Sequence, residues 1–255
     1  MTAILSLLDS HFSFDPKLFP AVRETPEDAA RLLGAPELPD TIQIPVWCYL
    51  IRTEDRFGLV DTGSGALFGG APDRLVAVLA REGIAPDEIA RVWLTHLHGD
   101  HCGGLVGDDG NAVFPEARIA VPKIEADHWL SGAHDGMAAD IARDARAALG
   151  PYADRLDRVS LGDVADDAEA VAAPGHTPGH LGWRFPALGA LAAGDIFHVT
   201  ALQIPHPDWS TDWDWDPVQA ARSRKFLIES ARADGHSLLT AHGGVLSPSD
   251  IPPTL

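Results

Sequence analysis

One six-residue stretch, His96-Leu97-His98-Gly99-Asp100-His101, restricts this chain more than any other feature. Three imidazoles and a carboxylate packed so closely cannot share one face of a helix or strand, whose side chains repeat about every 3.6 or 2 residues. On an irregular loop they can converge, and neutral imidazole is the commonest protein ligand for zinc-like ions. The run before the loop, Val92–Thr95, is short and apolar and stops abruptly. It predicts a buried strand that delivers the loop at its C-terminal end. A merely polar loop of exposed histidines would leave this clustering of ionisable groups without a purpose.

Three later segments repeat the design of a small apolar run ending in a potential ligand. They are Ala172-Ala173-Pro174-Gly175-His176, Leu191-Ala192-Ala193-Gly194-Asp195 and Leu239-Thr240-Ala241-His242. Glycines beside the ligands let the backbone pass close to a crowded centre. Taken singly each segment is weak, because a lone histidine is more often structural than a ligand. Four in succession point to one convergent site.

The rest of the chain reads as strands mixed with helices. Thr41–Ile51 is rich in β-branched and aromatic residues and predicts a strand, with Phe57–Val60 as its hairpin partner before the turn Asp61-Thr62-Gly63. Asp73–Glu82 carries a helical stripe closed by Gly83. Arg118–Val121, Ala168–Ala173, Gly182–Phe185, Ala190–Ala193 and Leu238–Ala241 read as strands, and Lys123–Leu130, Met137–Leu149 and Asp216–Ala233 as helices. Such a mixture predicts two packed sheets with helices outside. The proline-rich stretches Pro36–Pro45 and Pro205–Pro217 are expected to be long surface loops.

With 255 residues, the whole of 1–255 fits one domain, residues 1–40 forming an N-terminal extension over the site or a dimer contact. Lys+Arg 19 against Asp+Glu 37 leaves a net charge of -18. A surface this acidic repels phosphate backbones and anionic lipid, so neither nucleic acid nor a membrane is an expected partner. The opening MTAILSLLDSHF lacks a basic region and is a poor export signal, which makes the cytoplasm the expected location. Cys48 and Cys102 give no disulfide framework, and Cys102 reads as a small buried residue. Gly63 and Gly65 lack the lysine and spacing of a phosphate loop.

HLHGDHCGG resembles the HxHxDH motif of the metallo-β-lactamase superfamily, and PGHTPGH, AGD, AHGG and the Asp61-Thr62-Gly63 turn resemble its other motifs. The resemblance runs from about Ile44 to His242. It implies an α/β fold, the four-layer αββα sandwich, with the metals at one edge of the sheets. It also implies that His96, His98 and His176 hold one ion, that Asp100, His101 and His242 hold a second, and that Asp195 bridges them. Two ions so placed make a hydroxide available near neutral pH and polarise the substrate, with Asp100 and Asp195 at the reacting centre. Zinc is the expected metal; His/Asp ligands without cysteine also suit manganese, cobalt or iron. Asp61 either hydrogen-bonds a ligand histidine to set its tautomer or is a plain turn residue. His180, the second histidine of PGHTPGH, reads as structural.

Within the superfamily, β-lactamases place Cys or Ser where this chain has Asp195, and flavodiiron reductases usually carry glutamate where His98 stands. Glyoxalase II-type thioesterases add a helical C-terminal region for which the 13 residues after His242 leave no room. The nuclease branches need basic surface. What remains resembles the acyl-homoserine lactonase and methyl parathion hydrolase-like branch, above all in Leu191–Gln203. That implies hydrolysis of a lactone, carboxylic ester or phosphotriester by metal-bound hydroxide. His198 stands where the lactonases usually carry tyrosine, and it either contacts the substrate as a catalytic residue or packs behind a ligand. Trp209, Trp213 and Trp215, with Phe12, Phe14 and Phe19, either wall a pocket for an apolar portion of a small substrate or cover the sheet and a homodimer contact. The rival function is a mononuclear iron sulfur dioxygenase on the same scaffold, an oxidoreductase that leaves the second site empty.

Overall fold

The central strands Ile89–Trp93, Arg118–Pro122 and Ala190–Gly194 are buried almost throughout, which fits sheets covered on each side. The computed structural model describes residues 2–53, 56–65 and 74–251. Among these, the first sheet runs in sequence order: β1 (Ala3–Phe14), β2 (Ile42–Arg52), β3 (Phe57–Val60), β4 (Ile89–Trp93), β5 (Arg118–Pro122) and β6 (Leu156–Val159). The second contains β7 (Val164–Ala165), β8 (Ala168–Ala172), β9 (Leu181–Phe185), β10 (Ala190–Gly194), β11 (Ser237–Thr240) and β12 (Gly244–Leu246), again in order across the sheet. Strands β3 to β6 are parallel, as are β10 and β11. The helices are α1 (Pro20–Glu24), α2 (Pro26–Leu32), α3 (Arg74–Arg81), α4 (Gly99–Cys102), α5 (Lys123–Leu130), α6 (Met137–Leu149), α7 (Thr200–Gln203) and α8 (Pro217–Asp234).

The strand period of two divides the apolar residues between layers. Tyr49, Ile51, Trp93, Trp183, Phe185 and Ala192 fill the space between the sheets. Their neighbours Cys48, Leu50 and Val92 pack outward with residues of α3, α5 and α6. On the far side Leu191, Ala193 and Leu238 pack against Leu227, Ile228 and Ala231 of α8. The four layers are therefore helices, sheet, sheet, helices. Polar links stitch the sheets at the site end: the Trp183 indole donates to the Leu94 carbonyl at 2.9 Å, and the Leu181 amide to the Thr95 carbonyl at 3.0 Å.

Most expected elements are present within one or two residues; Asp73 lies outside the described residues, and the helix predicted from it runs over Arg74–Arg81. Three expectations need correction. Residues 3–14 are not an appendage but the edge strand β1, paired with β2 along its whole length. The stretch Pro36–Pro45 is not all loop, since Pro45 sits inside β2 opposite His11. The loop before α8 is also less superficial than expected, with Pro207, Ser210, Thr211 and Asp214 buried. Strands β6, β7 and β12 span only two to four residues, too short for an alternation to be read. Helices α1 and α2 each begin with proline, a start signal that stood in the sequence unused.

Candidate metal centre

Four strands end at one edge of the sandwich, and each hands over a candidate ligand just beyond its last residue. From β4 the chain runs through Leu94 and Thr95 to the 96–101 loop; β8 leads to His176, β10 to Asp195 and β11 to His242. The residues fall into two groups that share Asp195: His96, His98, His176 and Asp195, and Asp100, His101, His242 and Asp195, each with its ligand atoms within 4.8 Å of one another. Asp195 Oδ2 lies 3.5 Å from His176 Nε2 and 3.9 Å from His96 Nε2. Its Oδ1 lies 3.0 Å from His101 Nε2 and 3.2 Å from His242 Nε2. Oδ2 also lies 3.2 Å from His242 Nε2, so the one carboxylate faces both groups at once.

The imidazoles are held from behind. His242 Nδ1–H donates to the Pro45 carbonyl at 2.7 Å, and His101 Nδ1–H to Asp61 Oδ2 at 2.8 Å. Asp61 Oδ2 also accepts the Thr95 hydroxyl at 2.8 Å, which leaves the Thr95 oxygen to accept from His96 Nδ1–H at 3.1 Å. His176 Nδ1–H donates to Asp214 Oδ1 at 3.1 Å. Each bond fixes a tautomer whose lone pair on Nε2 points into the centre. His98 is turned the other way, its Nδ1 3.0 Å from His176 Nε2. The buried Nε2 atoms of His96 and His101 and the Asp195 Oδ1 have no hydrogen-bond partner. Buried acceptors left unmatched and aimed at one another are costly unless a cation sits among them, so this set fits divalent metal.

The electrostatics agree. Burial, followed by the neighbouring His101 and His98, pushes His96 well below its ordinary value, and burial beside His176 takes His98 down to about 3. Burial works against charge on Asp195 too, but His101 and His242 outweigh it and hold its carboxyl low. In return His101 and His242 are raised: burial disfavours their cations, and Asp195 overrides it. The carboxylates demand positive charge at this spot.

Gly194, in the left-handed region at φ +52, brings β10 so close that a Cβ would stand 2.5 Å from His180 Nε2. That nitrogen accepts the Asp195 amide at 3.1 Å, so His180 positions the bridging residue. Asp61 itself adopts φ 56, an uncommon conformation for a non-glycine residue, and its hydrogen bonds tie it to both groups. His198 is buried between the groups, its ring 4.8 Å from that of His176 and stacked on that of His242 at 6.1 Å, and both its nitrogens lack partners. Burial takes its imidazole down to about 3. Of the aromatics, Phe12 lies edge-on to His242 at 5.3 Å, and Phe14 and Trp213 pack edge-on at 5.0 Å, with Trp213 6.0 Å from His198. Trp215 packs on His128, away from that wall, whereas Trp209 stacks on His206 and packs against the cluster that contains Phe14 and Phe19.

Sequence reasoning missed Asp214, Glu125 and the Pro45 carbonyl. Asp214 alternates with tryptophans in a loop containing Asp212 and Asp216, and nothing in the spacing singles it out. Glu125 could have been noticed, since it lies four residues before Trp129 on the buried side of α5. A backbone carbonyl carries no sequence signal.

Comparison with known proteins fits this geometry. The family described as Metallo-beta-lactamase superfamily matches residues 42–242. An N-acyl homoserine lactonase of Bacillus thuringiensis is 30% identical over 160 residues, which are 54% of this chain and 57% of that one. The crystal structure of hydrolase AbOPH in the beta lactamase superfamily superposes with a TM-score of 0.84 at 25% identity, over 96% of this chain and 89% of that one. AidC, a dizinc quorum-quenching lactonase, has a TM-score of 0.85 at 24% identity, over 96% and 90%.

Proposed function

The chain belongs to the Metallo-beta-lactamase superfamily, and from that premise we propose that it is a dinuclear metal-dependent hydrolase that opens a lactone bearing an apolar acyl portion, with carboxylic esters and phosphotriesters as secondary substrates. The observation that carries this reading is the pair of ligand groups sharing Asp195, with unmatched buried acceptors aimed between them. The lactonase relative supports the substrate class, and it aligns over only part of its own length. Bound there, two divalent cations supply an ionised water near neutral pH and polarise the bond under attack.

The chain's own residues do the rest. Asp61, Asp214 and the Pro45 carbonyl keep the imidazoles in one tautomer and one orientation. His198 stays neutral and offers two free nitrogens beside both groups, placed to hydrogen-bond the ring oxygen or the carbonyl of a lactone. Phe12, Phe14 and Trp213 form an aromatic wall next to His198 and His242 that shields the site from water and receives the acyl chain.

Elemental analysis of the purified chain, followed by assays on acyl-homoserine lactones, aryl esters and phosphotriesters, tests the proposal. Two ions per chain with lactone hydrolysis is the expected result. One iron and no hydrolysis would replace it with the sulfur dioxygenase reading. The wall and His198 separate kinetically. Trp213→Ala should raise KM about three- to tenfold for long acyl chains and leave short ones unchanged, since a half-exposed ring contributes modestly to burial. His198→Ala should lower kcat/KM for every chain length; a change within about threefold removes its assigned contact.

A further inference from the structure

Glu125 is a fully buried carboxylate that touches none of the ligand side chains. Its Oε1 accepts the Gly179 amide at 2.7 Å, and its Oε2 accepts the Trp129 indole N–H at 2.8 Å and the Leu97 amide at 3.3 Å. Among the described residues no lysine or arginine forms an ion pair with it. Its partners are neutral donors, so its work is geometric. Leu97 separates His96 from His98, and Gly179 closes the loop that begins at His176. Trp129 in turn packs 6.2 Å from the His98 ring. The three donors therefore belong to the two loops that carry the ligands of the first group, and to the side chain flanking the most exposed of those ligands.

The sequence was shaped for this approach. A Cβ at Gly179 would fall 2.4 Å from the Glu125 amide nitrogen and 2.7 Å from Ile124 Cβ, so only glycine lets the loop close down on α5. That accounts for the second glycine in PGHTPGH, which no ligand requires. The second group depends on other supports: His101 on Asp61 and His242 on Pro45.

We propose that Glu125 is a positioning residue specific to one half of the centre, setting the distance of His96 and His98 from His176 and hence the affinity for the ion in that group alone. The inference rests on the dinuclear reading above. Glutamine at this position would turn an amide NH2 toward N–H donors and could satisfy only one side of the clamp.

The test compares the wild-type chain with Glu125→Gln and Trp129→Phe, each loaded with zinc, by metal content and chelator competition, and each loaded with cobalt, by visible absorption. The wild type should hold two ions. Glu125→Gln should bind one of them about ten- to hundredfold more weakly, the usual cost of losing an outer-shell partner, with the other unchanged. Its cobalt spectrum should lack the band that Asp100→Asn, a change in the second group, retains. Trp129→Phe keeps an aromatic, though smaller, ring, removes one donor and should give a smaller loss from the same group, which decides the matter if Glu125→Gln does not fold. Two ions held as tightly as in the wild type, or both weakened equally, would overturn the proposal. A wild type that binds no metal would instead overturn the dinuclear reading.

Discussion

Asp195→Asn is expected to lower kcat/KM for the best lactone by about two to three orders of magnitude, the size of a lost preorganised electrostatic group, while the chain stays folded. The reason lies in the two faces of one carboxylate. Oδ1 stands near His101 and His242, and Oδ2 near His96, His176 and again His242. An amide keeps one acceptor and presents N–H donors to imidazole lone pairs on the other side. It also removes the negative charge that offsets repulsion between two cations. The backbone should survive, because the Asp195 amide is held by His180 and the turn by Gly194, neither of which the substitution alters. Metal analysis should find the second ion lost or exchangeable. Activity within tenfold of the wild type, with both ions retained, would show that Asp195 does not bridge.

Removing the metals with a chelator is expected to lower Tm by about 8–16 °C. Ligand present at about a thousandfold over its Kd stabilises a fold by about 4 kcal/mol, and each kcal/mol moves Tm by about 2–4 °C in a chain of this size. The chelated protein should be most stable near pH 6.5 and weaken on both sides. Below that, the unfolded chain takes up protons that His96, His98 and His198 refuse when folded, so acidification costs stability. Above it, the protons that His101 and His242 retain in the fold, held by Asp195 and Asp100, are progressively lost, and their contribution goes with them. Differential scanning of the chelated chain from acid to mild alkali reads this directly. A Tm unmoved by chelation would mean that the centre forms without cations.

The candidate ligands were legible as a convergent set because metal chemistry restricts residue type. His96, His98, Asp100, His101, His176, Asp195 and His242 follow short apolar runs, and the structure gathers all seven into the two groups at one sheet edge. The layers were legible for a similar reason: runs apolar on both faces leave a strand nowhere to lie except between two packed layers. The edge strand β1 was not, because a long strand at a chain terminus with a half-exposed face resembles an unattached apolar segment. His198 could be named but not placed. Its burial between His176 and His242 depends on Gln203, whose side-chain oxygen accepts the His198 and Val199 amides at 2.7 and 3.1 Å.

The sequence by itself determined what must be covered and what must be charged. Residue identity sets solvation and ligand chemistry, and both act locally. Only the tertiary structure decided which oxygen faces which imidazole, that the Pro45 carbonyl and Asp214 orient ligands, and that Glu125 clamps two loops. These are contacts between residues up to 197 positions apart in the chain, made by backbone groups and common side chains. Local sequence is silent on them, because a hydrogen bond depends on distance and direction in space, and these exist only after the sheets have packed.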